Sequence, residues 1–118
     1  STTFKMDVAA STTVYKGGFV KAGTSGVVPA ASTGKVVGVA LEQGANGSGS
    51  AGDKKIFVAS GGIFEHAITA SFTDVGKKVF ASDDQTLSLV STSNGFFGYL
   101  VSISATNTGW VRHHAGPS

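Results

Sequence analysis

Two stretches, ASTGKVVGVA from Ala31 to Ala40 and STSNGFFGYL from Ser91 to Leu100, repeat one arrangement. Each writes a Ser/Thr pair, a turn, two bulky apolar residues, a glycine and a further apolar run. Their glycines, Gly38 and Gly98, stand 60 positions apart (98 minus 38). At that spacing and without a gap, Val20 falls on Phe80, Ala22 on Ser82, Ser32 on Thr92, Val36-Val37 on Phe96-Phe97 and Leu41 on Val101. The chain therefore reads as two related β units. Each holds a strand, a tight turn (Gly23 to Gly26; Asp83 to Gln85), a second strand, a Ser/Thr-rich corner and a long strand through a central glycine. Glycine inside a strand marks a bulge or a close backbone approach, where a sheet curves to close. Asn94-Gly95, and less strongly Thr33-Gly34, suit a turn that needs positive φ. Few superposed residues are identical, so chance likeness among Val/Gly/Ser segments is the competing reading.

Composition agrees with an all-β fold. The 118 residues suffice for one domain with a modest core. Seventeen glycines, eight phenylalanines, many valines and threonines and few leucines favour pleated surfaces over helices. Short apolar runs between turns predict strands at Phe19 to Ala22, Val27 to Ala30, Lys35 to Glu42, Lys55 to Ala59 and Gly62 to Ala67. Further strands are expected at Lys78 to Ser82, Thr86 to Ser91, Gly95 to Ser104 and Trp110 to His113. The expected architecture is a mainly β, small single-domain barrel- or sandwich-like body, β-tulip-like in shape. The best helical candidate, Glu65 to Phe72, lacks a clear cap and carries β-branched Ile68 and Thr69, which limits it to a turn or two.

Ahead of this body, Phe4, Met6 and Val8 alternate with Lys5 and Asp7, a strand pattern. The small residues that follow divide the chain into an N-terminal arm (1–14), a β body (15–113) and a C-terminal tail (114–118). The competing reading makes Phe4 to Val8 the first strand of the domain. Between the units, EQGANGSGSAGD from Glu42 to Asp53 reads as a flexible surface loop able to bury almost nothing. It has no lysine placed as in a phosphate-binding loop, and Gly34-Lys35 runs into a strand, which argues against nucleotide binding.

The formal net charge is +2, yet only 14% of residues are charged. Lys54-Lys55, Lys77-Lys78 and Arg112 are scattered rather than gathered into the basic stripe that neutralises phosphates, so no direct nucleic-acid partner is expected. There is no cysteine for a disulfide or thiolate metal site. Neither a signal-peptide pattern nor an apolar run of about 20 residues occurs, so a soluble chain without a membrane partner is expected.

No constellation for catalysis, metal or cofactor emerges. His113 and His114 point to opposite sides of a continuing strand and read as a surface tail; His66 beside Glu65 reads as partly exposed structure. Asp83 and Asp84 stand between two apolar runs, where aspartate accepts hydrogen bonds from turn backbone. No serine lies in a nucleophile elbow. The expectation is a non-enzymatic module that offers surface, with the alternating arm adding a strand to a partner's sheet edge.

The segment VGKKVFASDDQTLSLVSTSNGFFGYLVSI, Val75 to Ile103, together with GKVVGVALEQ and GDKKIFVASGGIF, resembles the small capsid decoration, or cement, proteins of tailed bacteriophages. The likeness spans about Tyr15 to Arg112 and departs from the family's pattern at Gln85, where glycine is frequent, and in the Gly/Ser loop. It implies a β-rich, barrel-like body that assembles as a homotrimer on the outer surface of an icosahedral head. There, at three-fold and quasi-three-fold positions, it would clamp major capsid protein subunits, with Phe4, Met6 and Val8 as the capsid-binding arm. Two other readings stand beside it. One is a head-fibre or tail adhesion module binding host glycans through Trp110, Tyr99 and Tyr15; the other is a small hydrolase with a degenerate Ser/His/Asp site.

Overall fold

A computed structural model describes residues 2–31, 34–92 and 94–114 of the chain. The expected corner at Ser32-Thr33 and the tail beyond His114 lie outside the described residues. The first half contributes β1 (Thr2–Asp7), β2 (Thr12–Val14), β3 (Phe19–Ala22), β4 (Val27–Pro29), β5 (Val36–Ala40), β6 (Gly44–Asn46) and β7 (Lys55–Ser60). The second half contributes β8 (Ile63–Ala67), a single 3₁₀ turn (Phe72–Asp74), β9 (Lys78–Ala81), β10 (Leu87–Ser88), β11 (Gly95–Ala105) and β12 (Thr108–His113). The helical expectation over Glu65 to Phe72 gives way to strand β8 followed by that one turn. A row of β-branched and aromatic residues beside a partner strand favours the pleat.

The strands form antiparallel sheets of order β1-β7-β5-β3-β4 and β10-β9-β11-β12-β8, with β2 and β6 as a separate pair. Each large sheet keeps two edges, so the mainly β body is not a closed barrel. Read from matching edges, the two orders are the same: β1, β3, β4, β5 and β7 correspond to β8, β9, β10, β11 and β12. The duplication read from Gly38 and Gly98 is therefore a duplication of the whole sheet, and it begins earlier than the sequence spacing indicated. Phe4 faces Val58 on β7 as Phe64 faces Val111 on β12, again 60 positions apart (64 minus 4).

Register corrects one detail of the gap-free superposition. Gly38 lies opposite Val20, and Gly98 lies opposite Val79, so Val20 corresponds to Val79 rather than to Phe80. The turn after β9 is longer by one residue, which restores the spacing where Val27 and Leu87 each pair with the preceding strand. A slip of one residue exchanges the two faces of a strand. Val20 and Val79 are both fully buried, whereas Phe80 lies half-buried on the other face. Beside each glycine the ladder skips one residue, Val37 in β5 and Phe97 in β11, giving matching bulges.

The two sheets stack in one direction rather than face to face. On the inner face of the first, Val8, Val20, Val27, Ala40 and Val58 pack together with Val14 of β2 above them. Their counterparts Ile68, Val79, Leu87, Leu100 and Val111 form the inner face of the second. What fills that second core is the outer face of the first sheet: Phe19, Ala30 and Val36 belong to it, with Val39 packed alongside. The Phe19 ring stands 5.0 Å from Phe97 and 5.1 Å from His66. Fully burying each such side chain contributes about 1.5–3 kcal/mol, so the halves share one core.

The Gly/Ser segment Glu42 to Asp53, expected to be a flexible loop, instead supplies β6 and covers the first core. Asn46 is buried, and its amide donates to the carbonyls of Val8 (3.3 Å), Ala9 (3.0 Å) and Ser50 (2.9 Å). Small residues serve here because the backbone runs close over the core: a Cβ on Gly44 would stand 2.7 Å from Val8 and 2.8 Å from Ile56.

Candidate interaction surfaces

The first candidate is the expected arm. Thr2–Asp7 is not free; it pairs along its whole length with β7, from Thr2 opposite Ser60 to Asp7 opposite Lys55. It is held there because Val8, immediately after it, is fully buried and anchors the strand to the core. Of the three arm residues, Val8 is core, Met6 packs partly against that core, and Phe4 is 49% exposed. On the opposite face Lys5 lies over the Phe57 ring, 5.6 Å from its centroid, and Asp7 accepts from Lys55. β1 is the outermost strand of its sheet; among the described residues no strand pairs with its far side, where Phe4 stands exposed, while Phe57 of β7 is exposed on the opposite face.

The turn and bend residues separate into two kinds. Asp83 caps its turn, one carboxylate oxygen accepting from the Gln85 N–H (2.8 Å) and the other from the Thr86 hydroxyl (3.2 Å). The Gln85 bond above all holds its carboxyl below the usual carboxylate range. Asp84 accepts the Phe19 N–H at its backbone carbonyl, at 2.9 Å, tying this turn to the start of β3. Asn94 bonds back to Val90, its amide donating to that carbonyl at 2.8 Å. Neither Asn94 nor Gly95 adopts positive φ, contrary to the expectation for that pair; Gly34 does, at +83°. Gly95 is required for space instead, since a Cβ there would stand 2.0 Å from the Gly34 carbonyl oxygen. The close approach expected at the strand glycines is present in both units. A Cβ on Gly38 would meet the Ala59 carbonyl at 2.5 Å, and one on Gly98 the Arg112 carbonyl at 1.8 Å.

Each histidine packs against an aromatic ring, His66 on Phe19, His113 on Phe97 and His114 on Phe96 and Tyr99. His113, expected on a surface tail, is 2% exposed. Its Nδ1 accepts the Gly61 N–H at 2.7 Å, which leaves the proton on Nε2 to donate to the Val36 carbonyl at 2.8 Å. One neutral ring thus links the connection between the halves to β5 of the first sheet. Burial, first of all, holds its pKa below the ordinary 6.5. The sequence signal for this was available: His113 shares the β12 face of Val111, two residues away, so a strand continued to residue 113 carries both inward. Among the described residues, no three His, Cys, Asp or Glu side chains gather as metal ligands would. The hollow beside the Gln85–Leu87 turn, lined by Ala67, Ile68, Thr69 and Asn107, has no titratable side chain.

A second surface lies on the outer face of the second sheet, where Trp110 and Tyr99 stand with Lys78 and Arg112, two of the cations that read as scattered in the sequence. Lys78, Tyr99, Arg112 and Ile63 stand directly opposite one another across β9, β11, β12 and β8. Trp110 occupies the next row opposite Glu65. The Phe96 ring meets Phe80 and Tyr99 at centroid distances of 6.0 and 5.7 Å, and the Lys35 ammonium lies 4.5 Å above it. Lys35 also donates to the His114 carbonyl, and burial lowers its pKa. Tyr15 does not join this face; it lies in the turn entering β3, where its carbonyl accepts the Gly18 N–H at 3.0 Å.

Comparison of the chain with protein-family profiles, with curated proteins and with solved structures returns no match.

Proposed function

We propose that the chain is a structural virion protein that decorates the outside of an icosahedral phage head. It would bind as a trimer between major capsid protein subunits and stabilise the shell without catalysing a reaction. Support comes from the resemblance of Val75 to Ile103 to cement proteins and from a body whose two halves share one core, suited to holding neighbours in fixed positions. The observation that carries the reading is the β1 edge, where Phe4 is 49% accessible and no strand among the described residues pairs with the far side. Such an edge receives a partner strand through main-chain hydrogen bonds, and neighbouring side chains select it. The contact is then an edge strand in place rather than a loose arm, and three copies on one particle multiply weak contacts.

Electron microscopy of expanded heads mixed with the purified chain tests this. Density at the three-fold and quasi-three-fold positions, reduced by Phe4→Asp, is expected; bare heads at saturating protein would overturn it. A glycan-binding adhesion module is the second reading, favoured by Tyr99 and Trp110 sharing one face, and binding to whole host cells rather than heads would select it.

A further inference from the structure

The one-directional stacking leaves a sheet face on which no strand among the described residues packs. In the first unit, outer-face Phe19, Val36 and Val39 are covered by the second unit's inner face. Strand register places Lys78, Phe96 and Tyr99 at the corresponding positions of the second unit. The His114 ring stands 6.0 Å from Phe96 and 5.6 Å from Tyr99, and Phe96 is only 8% exposed, whereas nearby Trp110 and Ile63 are 41% and 47% exposed. Phe80, Phe96, Tyr99 and Trp110 form its aromatic floor, with Lys78 and Arg112 beside them and Glu65, opposite Trp110, as its carboxylate. The ion pairs formed elsewhere are Lys55 with Asp7 and Lys77 with Asp74; neither Lys78 nor Arg112 has a carboxylate partner among the described residues.

The occupant follows from charge and from stacking geometry. Two copies meeting through this same face would set Lys78 and Arg112, with one Glu65 between them, towards a second surface of the same net positive sign. A second copy continuing the stack would have to offer the inner face of its first sheet, which β2 and Val14 already cover. Aromatic residues and Arg together are the composition enriched at protein–protein interfaces. We propose that this outer face docks an acidic, centrally apolar surface of a different protein, its carboxylates pairing with Lys78 and Arg112. The partner's identity rests on the decoration reading, which makes it the capsid subunit and this face a contact additional to the β1 edge.

The test compares the native chain, the double variant Lys78→Glu/Arg112→Glu and the control Lys16→Glu/Lys54→Glu, which makes the same charge change at exposed sites elsewhere. Thermal melts establish that all are folded, and co-sedimentation with expanded heads is measured across a salt series. Expected is a loss of at least about tenfold in affinity for the double variant, with the control within about twofold of native and native binding weakened by salt. Native binding with an unaffected double variant would overturn this face alone. Native failure to bind heads would overturn the decoration reading, and the proposal with it. Self-association of the native chain lost in the double variant would make a second copy the occupant. Trp110→Ala that binds heads normally but loses host-cell glycans would make the face a sugar platform; either result overturns the proposal.

Discussion

Gly98 is the residue on which the second sheet depends most visibly. Its missing Cβ is the space in which β12 runs, because the Arg112 carbonyl would lie 1.8 Å from that atom. Gly98→Val is expected to destabilise by about 3 kcal/mol or more, as overpacking against backbone does not relax through a rotamer change. Urea denaturation measures it, and an unchanged midpoint would refute the close approach. His113 governs a different variable. Its folded pKa lies below 6.5 while the unfolded chain titrates near that value, so the unfolded state binds more protons between the two. Stability is therefore full above about pH 6.5 and falls as the pH drops below it, at up to about 1.4 kcal/mol per unit, until the folded pKa is passed. Denaturation at pH 8 and pH 5 should show this dependence, and His113→Gln should reduce it; an unchanged slope would remove His113 as its source.

At the scale of elements, the sequence leaves β1 between an arm and the first strand of the domain, and it gives the β2–β6 segment as a loop. The alternation of Phe4, Met6 and Val8 is the pattern of a strand, but a pattern does not say whether the partner strand belongs to the same chain. The decisive fact is its equivalence to β8, each strand lying outermost on the fourth strand of its sheet. Removing residues 1–10 would strip Val8 from the first core and leave β7 as an edge. Such a truncation is expected to unfold or aggregate rather than give a folded body without an arm, and circular dichroism distinguishes the two. In the Gly/Ser segment, poverty in apolar side chains predicts a loop that buries almost nothing, whereas small residues let its backbone lie against Val8 and Ile56. Asn46 holds it there through three carbonyls. Asn46→Ala leaves the buried carbonyls of Val8 and Ala9 without that donor and should cost about 1–3 kcal/mol in the same denaturation assay.

For the whole molecule the consequence of stacking is cooperativity. Phe19, Ala30 and Val36 of the first half sit in the core of the second, and His113 of the second bonds the Val36 backbone. Val36→Ala should cost about 1.5–3 kcal/mol, since a fully buried side chain is cut back at the junction of the two halves. Unfolding should remain one transition with coincident near- and far-ultraviolet signals. Two separated transitions would mean that the halves are independent units.

Local chemistry determined much of this protein. Turn residues and apolar runs marked β3, β4, β5, β7, β8, β9, β11 and β12 to within a few residues, because glycine, aspartate and β-branched side chains act on the backbone within a turn's reach. The pair of strand glycines likewise announced the duplication, since any side chain at either position would strike the neighbouring strand. Tertiary structure alone decided that β1 lies on β7, that His113 turns inward, and that the outer face of one sheet fills the core of the other. Those outcomes depend on which surface is offered across space, and a residue's spacing along the chain carries no record of what will cover it.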